Sequence, residues 1–363
     1  MADGCPCPDP EVRHEARRQH QAHATVLPVA PMKPRDILVA THGHCFDGMA
    51  SAALFTHLAR TLEPSQALSF RYKSCGYGPG MQQIPEAWLD GEESAILDFR
   101  YTPSKKTTWY FDHHITGFAT TEERDLALAG AATAAGPGAP DKPQVHYDPT
   151  YGSCAKLIAD VARARFGVAM SPHEELISWA DRIDSASFDS AEDATRRDEP
   201  VLHLAAVIEH HGDGPFLNKH IKSLLERPVS EVARSPEIQA LWAPIAASRD
   251  AFTRRVEAHA TRKGRVVHVD LTDAPLDVAA KFVTYALYPD CTYSVTVSRN
   301  KQHYKLSIGY NPWSGHPRLH DIASICRRYG GGGHPAVGAF SFPLSGREKA
   351  LAAAEAVVAE LNA

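Results

Sequence analysis

Asp112-His113-His114 follows directly on the aromatic run Trp109-Tyr110-Phe111, so a carboxylate and two imidazoles arrive together at the end of an apolar segment. Carboxylate and imidazole are ligand types that divalent transition metals take, and an ion held this way acidifies water and polarises a phosphoryl oxygen. A lone pair of histidines at a strand end is more often a cap and a solvated neighbour. Here the pair has company. Thr41-His42-Gly43-His44-Cys45-Phe46-Asp47-Gly48 places two imidazoles, a thiol and a carboxylate within six residues, and Ala95-Ile96-Leu97 ends on Asp98.

Each group sits where a strand is expected to stop. Asp36-Ile37-Leu38-Val39-Ala40 has the β-branched apolar centre of a strand, and residues 49–60 beyond the polar turn carry helical patterning. Leu68-Ser69-Phe70-Arg71-Tyr72 reads as a second strand ahead of a glycine-rich loop at 76–80, Ala95-Ile96-Leu97 as a third and the aromatic run as a fourth. Such alternation predicts a parallel sheet with helices on both faces, and open α/β sheets bind ligands beyond the carboxyl ends of their strands. His42 with Asp47, Asp98, and His113 on one sheet edge argue for a site. A helix N-terminus behind the first turn would also favour phosphate, although Asp47 as the N-cap of that helix is the plainer alternative.

The Asp-His-His after a strand, the aspartate closing the strand before it, and the turn from His42 to Gly48 together resemble the DHH phosphoesterase superfamily, with its RecJ-like and oligoribonuclease-like members. The resemblance implies a carboxylate bridging two Mn²⁺ ions and a metal-activated water attacking phosphorus. It implies Asp98 as the bridge, Asp47 and His113 as ligands of one metal, and His42 as a ligand of the other. It also implies His114 as the contact to the scissile phosphate and Asp112 as the group behind the imidazoles. The superfamily's Asp-x-x-x-Phe pattern fits Asp184 with Phe188, which implies Asp184 as a further ligand beside Asp47 and His113. Asp181, three residues earlier and able to share a helical face, is the alternative. Many members carry Asp-x-Asp in the first motif, and this chain has Cys45 at the first of the two. The second metal is then left with His42, Asp98 and either Cys45 or His44, which favours an ion softer than magnesium, or it binds weakly and fills only with substrate. Mn²⁺ is the expected cofactor, with Mg²⁺, Co²⁺ or Zn²⁺ as alternatives.

Beyond Gly264 the runs Val266-Val267-His268-Val269, Tyr293-Ser294-Val295-Thr296-Val297 and Tyr304-Lys305-Leu306-Ser307-Ile308, with a helix over 277–287, imply a second, smaller α/β domain. Within it, Gly330-Gly331-Gly332-Gly333-His334 strips away side chains so that backbone N–H groups can approach an anion. This run resembles the signature of the DHH-associated domain, which implies that Gly332, Gly333 and His334 hold the substrate and that Arg299, at a strand end, turns its bidentate fork toward a phosphate. Trp313, after Pro312, is either a stacking wall or ordinary packing.

The expected organisation is a disordered tail at 1–34, a catalytic domain at 35–190, a helical connector at 191–262, a substrate-binding domain at 263–363, and an active site in the cleft between the lobes. Residues 126–144, rich in Ala, Gly and Pro, read as a flexible surface insertion, and Ser153 or Thr150 as the cap of a helix reaching Phe166. Glu209-His210-His211 reads as a solvated helix end. Cys5, Cys7, His14, His20 and His23 match no standard zinc spacing.

Composition narrows the partner. A net charge of −5 over 363 residues provides no basic field for a long duplex, and a cleft closed by a second lobe admits a short or terminal phosphate. No apolar run approaches a membrane span and no leader opens the chain; the scattered, odd-numbered cysteines suit reduced thiols, so a cytoplasmic location is expected. The expected function is metal-dependent hydrolysis of short oligoribonucleotides, linear dinucleotides or related small nucleotide phosphates. The alternatives are a phosphomonoesterase of bisphosphate-nucleotide or polyphosphate type and a non-catalytic nucleotide-binding protein; a homodimer is left open.

Overall fold

In the computed structural model the described residues are 1, 33–76, 83–132, 143–196, 198–276 and 282–363. The expectations for the tail, with its cysteines and histidines, and for most of the loop at 76–80 lie outside them.

The apolar runs do become strands, each longer or better defined than its pattern alone suggested. The first lobe contains β1 (Arg35–His42), α1 (Phe46–Leu62), β2 (Leu68–Cys75), β3 (Glu93–Leu97), β4 (Trp109–Asp112), α2 (Thr121–Ala132), β5 (Gln144–Tyr147), α3 (Cys154–Phe166) and α4 (Glu174–Asp184). Then follow α5 (Ala191–Ala194), α6 (Pro200–His211), α7 (Gly214–Glu226), α8 (Val229–Ala233) and α9 (Pro236–His259). The five strands pair in parallel in the order β2-β1-β3-β4-β5. In that order the winding reverses between β1 and β3, the place where doubly wound sheets open a crevice for ligands. Burial on both faces explains the unbroken apolar runs: Ile37 and Val39 enter one core beside α1 and α3, and Leu38 and Ala40 enter the other.

The second lobe comprises β6 (Ala260–Lys263), β7 (Val266–Pro275), α10 (Val283–Leu287), β8 (Tyr293–Arg299), β9 (His303–Tyr310), α11 (Ile322–Arg328), β10 (Gly332–His334), β11 (Val337–Pro343) and α12 (Arg347–Asn362). Its six strands run in the order β10-β11-β9-β8-β7-β6, with β7 and β8 parallel and the other pairs antiparallel. One face packs Val295, Val297 and Leu306 against Ile322, Ile325, Val357 and Leu361 from α11 and α12. The other packs Val267, Val269 and Leu271 against Phe252 and Val256 of α9 and Val283 of α10.

Three local expectations change. The stretch 126–144 is not simply an insertion: its first residues complete α2, whose Ala127, Leu128 and Ala131 lie in the core of Tyr110 and Phe118, and its last begins β5, with Val145 in the same core. Of the helix expected over 277–287, residues 277–281 lie outside the described residues, and the described part starts at Val283 because Phe282, at φ 67°, is its N-cap. The helices expected as a connector bury their apolar faces in the first lobe: Val201, Leu204, Leu217, Ile221 and Ile238 share a core with α1 and α3. Ala191 of α5 and the far half of α9, through Phe252 and Val256, turn to the second sheet. Among the described residues no helix is long and apolar enough to cross a membrane.

Candidate metal centre

β1, β3 and β4 end side by side, and the starts and ends of helices supply the rest. Asp98, the first residue after β3, is 1% exposed and adopts φ 55°, a left-handed conformation that aspartate tolerates better than most residues. That kink turns its carboxylate into the crevice. Asp98 Oδ2 lies 3.5 Å from His42 Nδ1, while Oδ1 lies 3.5 Å from His113 Nε2 and 3.6 Å from His114 Nδ1. Among the described residues neither carboxylate oxygen has a hydrogen-bond partner at normal distance. A buried carboxylate in that condition is costly unless a cation satisfies it.

Asp47 is the second residue of α1 but caps a different helix. Its carboxylate accepts from Cys154 N at 2.7 Å and Ala155 N at 2.9 Å, the first amides of α3, while Ser153 accepts from Lys156 N as the N-cap proper. Cys45, not Asp47, occupies the N-cap position of α1. The α3 amides pin Asp47 Oδ2 at 3.7 Å from His113 Nε2, and Asp184 Oδ2, at the end of α4, lies 3.4 Å from the same nitrogen. His113 Nδ1 donates to the Tyr151 carbonyl at 3.1 Å, which turns Nε2 toward these carboxylates. Asp181 is engaged elsewhere, accepting from Ser153 Oγ at 3.3 Å, so the structure gathers Asp184, not Asp181, with Asp47 and His113.

His42, Cys45 and Asp98 form a second cluster, and Asp98 with His113 and His114 a third that overlaps both. His44 is excluded from them. It is exposed, in a left-handed conformation at φ 54°, and its Nδ1 donates to the Glu209 carbonyl at 3.2 Å, tying the turn to α6. Glu209 itself pairs with Arg249 at 3.0 Å, and His210 bonds the Ala206 carbonyl, as befits a helix end. Asp112 orients only one of the imidazoles: its Oδ1 accepts from His114 Nδ1 at 2.8 Å, and its Oδ2 accepts from the Tyr110 hydroxyl at 2.9 Å.

The charges explain one another. Burial, then the neighbouring Asp98 and Asp184, push the Asp47 carboxyl well above the usual range. Burial would raise Asp98 too, but His113, His42 and His114 overcome it and hold Asp98 below the usual range. Burial pulls His113 down, yet Asp98, Asp47 and Asp184 outweigh it and push the imidazole up to about 10. His114 is raised against burial by its bond to Asp112 and by Asp98. The same field favours a divalent cation. Donors sharing an ion at about 2.1 Å stand roughly 3–3.5 Å apart, close to the 3.4–3.7 Å spacing around His113 Nε2. The oxygen, nitrogen and sulfur donors fit a first-row divalent metal.

The second lobe contributes less directly. Arg299 ends β8, and its Nε is buried without a hydrogen-bond partner among the described residues. The pKa of His334 is lowered first by burial, then by Arg318 and by His114, so the glycine-rich segment lies within the electrostatic reach of the Asp-His-His strand end. That segment is not an open loop: Gly332–His334 is a short edge strand paired with β11. A β-carbon at Gly331 would stand 2.2 Å from the Ala339 carbonyl, and one at Gly333 2.3 Å from that of Val337, whereas one at Gly332 would meet nothing within 4 Å. Two of these glycines are therefore demanded by strand packing. Trp313 is not a free stacking wall: its indole N–H donates to the Phe188 carbonyl, and its ring packs edge-on against Phe282. The residues that sequence reasoning missed act through the backbone, namely Tyr151, Cys154 and Ala155, and no side-chain motif announces a carbonyl or an amide.

Compared by sequence, the chain matches no family model and no curated protein. By structure it is similar to a pGpG-specific phosphodiesterase, PggH, from Vibrio cholerae, at 16% identity and a TM-score of 0.62 over 90% of this chain and 99% of that one. It is similar to the DHH domain of a member of the s1p family of ribosomal proteins, at 14% identity and a TM-score of 0.57 over 91% and 88% of the two chains. The chain has the DHH fold. An exonuclease RecJ bound to manganese shares it at 14% identity and a TM-score of 0.52, over 90% of each chain. The DHH fold accounts for both sheets, and the Asp-His-His that gives the fold its name stands in this chain at residues 112–114.

Proposed function

We propose that this chain is a metal-dependent phosphodiesterase that hydrolyses short oligoribonucleotides or linear dinucleotides, with Mn²⁺ as its expected ion. The observation that carries this reading is Asp98, a buried carboxylate presenting one oxygen to His42 and the other to His113 and His114. Asp47, Asp98, His113 and Asp184 would hold one ion, and His42, Asp98 and Cys45 a second. Such ions supply a water acidified toward neutral pH and positive charge opposite the phosphoryl oxygens. The protein's own residues do the rest. His114, held by Asp112 through Nδ1, keeps Nε2 for a phosphoryl oxygen, and its raised proton affinity favours the cationic form that such a contact would use. Arg299 and His334 bind the remainder of the substrate from the second lobe, a role suited to the guanidinium fork. A site set between lobes receives chain ends or dinucleotides more readily than the middle of a duplex, and the net charge of −5 agrees. The similarity to a protein described as acting on pGpG and to one bound to manganese supports the same choice. The free thiols at Cys45, Cys75, Cys154, Cys291 and Cys326 suit the cytoplasmic location we assign.

The deciding experiment presents the purified protein with a short RNA, a linear dinucleotide, a 3′,5′-bisphosphate nucleotide and polyphosphate, each with Mn²⁺ and with chelator. Release of mononucleotide from the RNA or dinucleotide, abolished by chelator, is the expected result. Release of phosphate from the bisphosphate or polyphosphate alone would move the assignment to a phosphomonoesterase. Binding without any turnover would end the enzymatic reading.

A further inference from the structure

Asp184 is the member of the centre that stands at the C-terminal end of a helix, whereas Asp47 is pinned by the first amides of α3. It closes α4 and leads into a turn knit by Ser185 N to the Asp181 carbonyl at 3.1 Å, Ser187 N to that of Arg182 at 3.0 Å and Phe188 N to that of Ala186 at 2.9 Å. Ala186 sits at φ 53°, a conformation that a side-chain-bearing residue keeps only when its surroundings impose it. The far end of this turn is gripped twice. From the first lobe, the Arg182 guanidinium lies 4.7 Å from the centre of the Phe188 ring and 5.3 Å from that of Trp179, and it pairs with Asp193. From the second lobe, the Trp313 indole N–H donates to the Phe188 carbonyl. Trp313 is anchored in turn: its ring meets Phe282 at 5.2 Å and 86°, beside the core that Val267, Val269 and Leu271 of β7 build.

We propose that Trp313 is a positioning residue for the metal centre: through its bond to the Phe188 carbonyl, the substrate-binding lobe fixes where Asp184 stands beside Asp47 and His113. The inference rests on the metal-dependent reading above and deepens it, since it makes the occupancy of one metal site depend on the seating of the other lobe.

Trp313→Phe keeps a ring against Phe282 and removes the donor. Calorimetric titration of the metal-free variant with Mn²⁺ is expected to show about tenfold weaker binding than wild type, the scale on which loss of a group supporting a ligand is felt. Thermal melting of the metal-free protein should move by only a few degrees and so report that the fold is kept. In an Asp184→Asn background the added Trp313→Phe change should cause no further loss, because its effect runs through that carboxylate. Wild-type Mn²⁺ affinity in Trp313→Phe, or a second loss of equal size in the Asp184→Asn background, would overturn the proposal. The titration contains no substrate, so its outcome is separate from the nuclease assay. A wild type that binds Mn²⁺ yet cleaves no nucleotide would end the phosphodiesterase reading and leave the role of Trp313 standing.

Discussion

Asp98 concentrates the chemistry into one side chain, because each of its oxygens serves a different cluster. Asp98→Ala should therefore abolish turnover and Mn²⁺ uptake together; two ions per chain by elemental analysis of the variant would rule out the bridging role. Asp112→Asn is a gentler probe, since an amide oxygen still accepts from His114 but brings no charge. We expect kcat to fall about 10- to 100-fold with metal content unchanged, and loss of bound metal would place Asp112 among the ligands instead. His146 tests the electrostatics away from the centre. It is buried, stacked 4.6 Å from Phe111 and 3.3 Å from an Arg165 guanidinium nitrogen, and burial followed by that charge lowers its pKa to about 3. The unfolded chain would protonate it near 6.5, so its contribution to stability is complete above about 6.5 and is lost progressively as pH falls toward 3. His146→Phe should flatten the decline of the urea midpoint between pH 6.5 and 4. An unchanged slope would show that other groups carry the acid limb.

At the scale of elements, β10 and β11 show how a glycine run divides into structural and functional positions. Gly331→Ala and Gly333→Ala would press a β-carbon to within 2.2 and 2.3 Å of backbone carbonyls, and overpacking of that kind costs about 1–3 kcal/mol. Both variants should melt measurably lower. Gly332→Ala meets open space and should leave the melting temperature alone, so a raised KM in that variant alone would report close approach of substrate to the backbone. Equal destabilisation in all three would mean that the hairpin, not the ligand, demands every glycine. The pairing of Asp47 with α3 carries a similar lesson: one carboxylate caps a helix and faces His113 at once, so the centre and the packing of α1 on α3 are built together.

For the whole molecule, the buried carboxylates of Asp47 and Asp98, gathered with Asp184 around His113, make stability depend on the cation. An ion that binds only the folded chain adds about 2.7 kcal/mol at a hundredfold excess over Kd, which raises the melting temperature by several degrees for a chain of this size. Differential scanning calorimetry with Mn²⁺ and then with chelator should show that rise and its reversal, and Asp98→Ala should show neither. A shift that survives Asp98→Ala would place the stabilising ion elsewhere. The lobes are bound into one unit by α9, whose early turns bury Ile238 and Trp242 in the first core and whose last turns bury Phe252 and Val256 in the second.

The first four strands of the parallel sheet and the placing of His42, Asp98 and His113 at their ends, with Asp47 in the turn that follows the first, were legible from the sequence, because each polar group interrupts an apolar run and that periodicity is local; β5 and the order of the strands were not. The Asp-His-His motif and the glycine run carried the family resemblance in the same way. Distinctions of a turn or less were not legible. Asp181 and Asp184 lie three residues apart on one helix, and only the packing of Ser153 against α4 decides which of them faces His113. His44 and Cys45 are adjacent, and only the Glu209 carbonyl, 165 residues away, draws the imidazole out of the cluster. The helices within 191–262 read as a connector because their amphipathic faces name no partner, and Trp313 stays open between a wall and packing because its partner is a backbone carbonyl in the other lobe. Sequence determined which groups reach the carboxyl edge of the sheet. Contacts between residues distant in the chain decided their orientation, since donor geometry and burial are properties of neighbours that no local spacing encodes.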